Sequence, residues 1–147
     1  MKLTMSDYKK PVLGWREWVS FPELKVKDIK AKIDTGARTS ALHVTDMVFT
    51  KIGRTEYVEF VIYPLQKKQK PKVKAKAKLL ERRPVRSSNG QITIRPVIET
   101  KIKIADIEYV IELTLVNRDL MGFRMLLGRQ ALKGFMVHPK KSFIQST

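Results

Sequence analysis

The chain contains no cysteine, which removes disulfides, thiolate catalysis and Cys-ligated metals from consideration. It has only two histidines, His43 and His138, too few for a His-rich metal cage. Acids are scarce: 14 Asp and Glu stand against 30 Lys and Arg, for a net charge of +16. No apolar run approaches the roughly 18 residues of a membrane span; the longest, residues 60–65, contains Pro64. The N-terminal residues lack the apolar stretch of a signal peptide, so a cytoplasmic location and no membrane association are expected. There is no His-Glu-x-x-His, no Gly-rich phosphate loop and no nucleophile elbow. Zinc-peptidase chemistry, ATP binding by this chain and Ser-His-Asp catalysis are therefore unsupported, and neither a metal nor a cofactor is expected.

Helical periodicity is nearly absent as well; what is present reads as β-structure. Of the 147 residues, 43% are hydrophobic, enough for the packed core of one domain over 1–147. Residues 29–33, 57–63 and 91–95 alternate polar and apolar, as half-buried strands do. Residues 100–116 hold two alternating stretches, with Ala105-Asp106 as the turn between them. Asn89-Gly90, after Ser88, is a strong hairpin signal. One short helix is expected around residues 129–133, between Gly128 and Gly134. Many short strands and one short helix near the C-terminus predict an all-β fold built on a closed barrel. Residues 1–11 read as a loose N-terminal arm.

The positive charge is concentrated. Residues 66–86 hold ten basic side chains and one acid, a net charge of +9, leaving +7 for the other 126 residues. Residues 66–72 read as a mobile basic loop. In residues 72–79 a lysine recurs at every second position, which predicts a strand with all its lysines on one face. Two readings stay open: a solvated edge strand protected by its charge, or a groove for phosphate or acidic peptide. The segment has no aromatic residue for base stacking, so nucleic acid ranks last among the partners.

One motif stands above this background. Asp34-Thr35-Gly36-Ala37 directly follows the alternating strand at 29–33. A carboxylate at the end of an apolar strand can be aimed into a cleft, Gly36 permits a tight turn and close backbone approach, and Thr35 offers a bracing hydroxyl. An Asp-capped turn is the plain alternative. A second segment, Leu126-Leu127-Gly128-Arg129, is an apolar pair followed by Gly-Arg before the expected helix.

Together the two segments resemble the retropepsin-like aspartic peptidases. The strings KIDTGARTSALH, VRSSNGQITIRPVIET, IELTLVNRDLMGFRMLLGR and FMVHPKKSF resemble, more narrowly, a bacterial and archaeal family of that type. That family was long labelled an ATP-dependent zinc protease and is associated with ATP-grasp ligases that add glutamate to ribosomal proteins. The resemblance implies a six-stranded acid-protease barrel and a homodimer in which Asp34 of each chain meets its mate across a two-fold axis. It implies an active-site loop of Thr35, Gly36 and Ala37, and a flap around Ser88, Asn89 and Gly90 that covers an extended polypeptide. Leu126, Leu127, Gly128 and Arg129 would support the loop from behind. Arg38 stands where retroviral enzymes carry an acid, which favours an acidic substrate. Two alternatives remain: a non-catalytic module of the same fold that holds acidic or glutamate-tailed polypeptides or partners an ATP-grasp ligase, and RNA or ribosome binding through residues 67–86. Roles for His43, His138 and Arg118 are left open.

Overall fold

A computed structural model describes residues 9–65, 72–86, 89–118, 120 and 122–146. Residues 66–71 of the expected basic loop at 66–72, Ser88 of the expected flap and most of the expected N-terminal arm lie outside these residues. Eleven strands are described: β1 (Val12–Leu13), β2 (Arg16–Phe21), β3 (Val26–Ile33), β4 (Ser40–His43), β5 (Thr45–Ile52), β6 (Thr55–Ile62), β7 (Val73–Arg86), β8 (Ile92–Ile104), β9 (Ile107–Val116), β10 (Met125–Leu127) and β11 (Met136–Val137). The expected short helix is a single 3-10 turn at Arg129–Leu132, and a second such turn spans Pro22–Leu24. No helix is long and apolar enough to cross a membrane.

Six strands close into a barrel in the order β2-β3-β10-β4-β9-β8, sealed where Ser20 on β2 pairs with Lys103 on β8. Alternation explains why these segments are strands. In β8, Ile98, Ile102 and Ile104 are buried, while Glu99, Lys101 and Lys103 between them face out. The hydrophobic cluster inside includes Phe21, Ile29, Leu42, Phe60, Leu113, Leu115 and Met125. Each such side chain contributes about 1.5–3 kcal/mol by leaving water. The β8–β9 turn is the one read from sequence: Ala105 and Asp106 both take positive φ, 55° and 63°, as a two-residue hairpin turn requires.

Beyond β8 the sheet continues through β7 and β6 to β5. The alternating lysines behave as expected in one respect: Lys74, Lys76 and Lys78 are exposed, while Val73, Ala75 and Ala77 pack against the core. The edge-strand reading covers only half of the strand. β7 is nearly twice the expected length: Val73–Lys78 pairs with β6 on one side, and from Leu79 onward the strand pairs with β8. A register shift between Leu79 and Glu81 marks the handover, and the exposed edge belongs to β5.

The C-terminal segment is tied back onto the barrel by a buried acid. Glu17 on β2 is fully buried, and its carboxylate accepts the N–H groups of Gly14 at 2.6 Å and Ile144 at 2.8 Å and the hydroxyl of Ser146 at 2.6 Å. Trp18 stacks on Phe143 at 6.1 Å, and the Arg16 guanidinium lies 4.9 Å from the same ring.

Candidate active site

The loop between β3 and β4 carries Asp34. β3 runs parallel to β10, with Ile33 opposite Leu127, and the pairing extends by one bond as the Asp34 N–H donates to the Leu127 carbonyl at 2.9 Å. From there the segment read as structural support grips the loop. Arg129 donates its N–H to the Ala37 carbonyl at 2.8 Å, and Gln130 donates to Arg38 at 3.1 Å. The Arg129 side chain reaches the Thr35 carbonyl through Nη1 at 3.0 Å. The Gly128 N–H donates to the buried Ser40 hydroxyl at 3.1 Å. A Cβ on Gly128 would stand 2.5 Å from the Thr39 carbonyl oxygen, so only glycine lets the two backbones approach this closely. Leu127 is fully buried; Leu126 packs on a smaller cluster of Ala41, Val116 and Leu120.

Within the loop, the Gly36 N–H donates to Asp34 Oδ1 at 3.0 Å. Gly36 does not take a positive φ, so the turn itself does not demand glycine there. Its value is proximity, since a Cβ would come 3.3 Å from Asp34 Oδ1. Asp34 and Ala37 are half-buried, and Thr35, Gly36 and Arg38 are exposed. Among the described residues the Thr35 hydroxyl has no partner, so the brace expected of it is not made inside one chain.

Arg38 lines a groove of about 330 Å³ with Thr39, Arg83, Glu112 and Gln130. The groove joins the loop to the β7–β8 hairpin, because Arg83 on β7 donates from Nη2 to Glu112 on β9 at 2.8 Å. Glu112, and then Glu81, hold the Arg83 guanidinium above its ordinary pKa by accepting these bonds. The expected flap is this hairpin: Arg86 pairs with Ile92 at its end. Gly90 takes φ 86°, and Asn89 Oδ1 accepts the Gln91 N–H at 3.2 Å. Ile92 and Ile94 on it are more than half exposed, at 56% and 63%, unusual for large apolar side chains on a strand.

The histidines serve local structure. His43 Nδ1 lies 2.9 Å from Arg124 Nη1. His138 Nδ1 accepts the Lys140 N–H at 3.2 Å, and the His138 backbone N–H donates to the Leu13 carbonyl at 2.8 Å. Among the described residues no cluster of three or more His, Asp or Glu side chains is disposed to hold a metal ion. Sequence reading missed Ser40 and Gln130, which complete the loop's bracing; nothing in their local pattern sets them apart.

Residues 12–147 match the model of the RimB-like family, described as retropepsin-like aspartic endopeptidase RimB. The chain belongs to the RimB-like family. It is also similar to longer proteins. A probable alpha-L-glutamate ligase of Shewanella halifaxensis is 42% identical over 140 residues, which cover 95% of this chain and 30% of that protein. A protein of the same description from Desulfotalea psychrophila is 40% identical over 126 residues, 86% of this chain and 27% of that protein. This RimB-like chain thus spans under a third of the length of these relatives. The crystal structure of a Legionella pneumophila protein of unknown function superposes with a TM-score of 0.77 at 22% identity, covering 92% of this chain and 98% of that one. The shared architecture is the RimB-like barrel.

Proposed function

We propose that the chain is one protomer of a homodimeric aspartic endopeptidase that acts on acidic polypeptides in the cytoplasm. The observation that carries this reading is the position of Asp34: a half-exposed carboxylate at the end of β3, on a loop held from behind by Gly128, Arg129 and Gln130. Preorganised support of this kind is what a catalytic carboxylate needs. Two Asp34 carboxylates brought together across a two-fold axis cannot both ionise, so they share a proton and titrate as a pair. The ionised one takes a proton from water as the water oxygen adds to the scissile carbonyl carbon. The protonated one gives its proton to the carbonyl oxygen. Collapse of the tetrahedral intermediate breaks the C–N bond: the departing nitrogen takes the dyad's proton, and one hydroxyl of the intermediate returns its proton to the dyad as the C=O bond re-forms.

The other parts take roles that follow from their exposure. Thr35, whose hydroxyl has no partner among the described residues, faces the mate and bonds to its loop. Gly36 keeps the carboxylate accessible, and Ala37 leaves it one hydrogen bond short of what a hydroxyl residue would supply. Asn89, Gly90 and the apolar Ile92 and Ile94 close over the substrate and exclude water. Arg38 attracts acidic chains toward the loop.

A second reading is favoured by the relatives. Proteins described as probable alpha-L-glutamate ligases contain a region like this chain as under a third of their length. A module that holds a glutamate-bearing polypeptide for a ligase would use the same basic surface without hydrolysis. The two readings separate on Asp34→Asn. Unfolded and glutamate-tailed proteins are incubated with each form over roughly pH 4–8. Cleavage by the wild type that disappears in the variant supports the peptidase. Binding by both forms with cleavage by neither supports the module.

A further inference from the structure

The β7–β8 hairpin carries several arginines, and the described structure treats them unequally. Arg82 reaches Glu56 through two hydrogen bonds, at 3.0 and 2.7 Å. Arg83 is held by Glu112 and Glu81. Arg95, which stands opposite Arg83 in the pairing, has no acid among the described residues; its Nε donates to the Thr93 hydroxyl at 3.3 Å. It lies half-buried in a groove of about 200 Å³ between the hairpin and the end of β9. Met47, Ile94 and Leu115 supply apolar walls, and Asn117 and Arg118 the far rim.

Arg118 likewise has no acid among the described residues, so two guanidinium groups line one small groove with no described carboxylate paired to either. Burial, and then the charge of Arg118, push the Arg95 pKa down. Like charges partly withdrawn from water are unfavourable in the free protein and are relieved when an anion binds between them. The groove is smaller than the roughly 300–1,000 Å³ typical of cofactor and drug-sized sites. It suits one side chain. Among the described residues no aromatic side chain lines it, so they offer a nucleobase no stacking surface.

We infer that Arg95 and Arg118 form a specificity subsite that receives a substrate carboxylate side chain beside the flap. The inference deepens the peptidase reading and rests on it for the substrate's path, though binding at the subsite does not require hydrolysis. Guanidinium forks bind carboxylates bidentately while apolar walls hold the methylenes of a Glu.

The test uses a Glu-rich extended peptide and its Gln-for-Glu counterpart, with Arg95→Gln, Arg118→Gln, the double variant and Arg54→Gln as an equal-charge control outside the groove. Thermal midpoints establish that each variant folds. Wild type and the control should prefer the Glu peptide in kcat/KM. Each groove variant should lower that preference by about tenfold. The double variant should abolish it. Fluorescence anisotropy of the labelled Glu peptide on Asp34→Asn protein, with and without the groove substitutions, reads the subsite independently of chemistry. If nothing is cleaved but binding weakens about tenfold on loss of either arginine, the subsite stands and the peptidase reading fails. An unchanged Glu preference or affinity in the double variant overturns the subsite. So does tighter binding of a phosphoserine peptide than of the Glu peptide, or the absence of any Glu preference in the wild type.

Discussion

Gly128 lies directly beneath Thr39, so close that a methyl group on it would sit 2.5 Å from the Thr39 carbonyl oxygen. This contact fixes the distance between the loop that carries Asp34 and the strand end that supports it. Replacing Gly128 with Ala forces one backbone away from the other. The expected cost is about 1–3 kcal/mol, read as a lower denaturation midpoint. Because the displaced atoms belong to the Asp34 loop, activity on acidic polypeptides should fall more than the lost stability alone explains.

That contact was legible in the sequence only as two separate motifs. Asp34-Thr35-Gly36 at the end of an alternating strand and Leu126-Leu127-Gly128-Arg129 before a short helix pointed to a loop and its support. The parallel pairing of β3 with β10 is what joins them. Turns with strict backbone demands were readable for the same local reason: Ala105-Asp106 and Asn89-Gly90 fall where the chain reverses. Long-range partnerships were not. The alternating lysines of β7 report which face is wet but are silent on which strands lie alongside, so the continuation of β7 past Leu79 against β8 is not readable from them. Glu17 offered no signal either. Its surroundings, Trp15 to Val19, carry no motif, and its buried role depends on donors more than 120 positions away. The Arg95–Arg118 groove escaped for the same reason.

Thr35, beside the candidate catalytic carboxylate, has a hydroxyl with no partner among the described residues. If it bonds to the loop of a second protomer, Thr35→Val removes two symmetry-related hydrogen bonds per dimer. At roughly 0.7 kcal/mol each, the dimer dissociation constant should rise about tenfold. Sedimentation velocity over a concentration series reads this directly, and the unfolding midpoint of the isolated protomer should stay unchanged.

Tyr109 donates its hydroxyl to the Ala131 carbonyl at 2.6 Å, bracing the turn that follows Gly128. Burial pushes its pKa up to about 12. The unfolded phenol ionises near pH 10, so this group's stabilisation is complete below that value. It is lost as pH rises through the folded pKa, because only the unfolded chain gives up the proton at first. Tyr109→Phe should cost about 1 kcal/mol at neutral pH. The stability gap between wild type and variant should then shrink as pH is raised from roughly 10 to 12, at up to about 1.4 kcal/mol per unit. Paired urea titrations across that window cancel the titration of the many lysines.

The central claim is that catalysis requires one Asp34 from each of two chains. Mixing wild-type and Asp34→Asn protein at constant total concentration, with time for subunits to exchange, tests it most directly. A shared dyad predicts that cleavage of an acidic polypeptide falls as the square of the wild-type fraction, since every mixed dimer lacks half its site. A linear fall, in which each wild-type chain keeps its full activity whatever its partner, would contradict it.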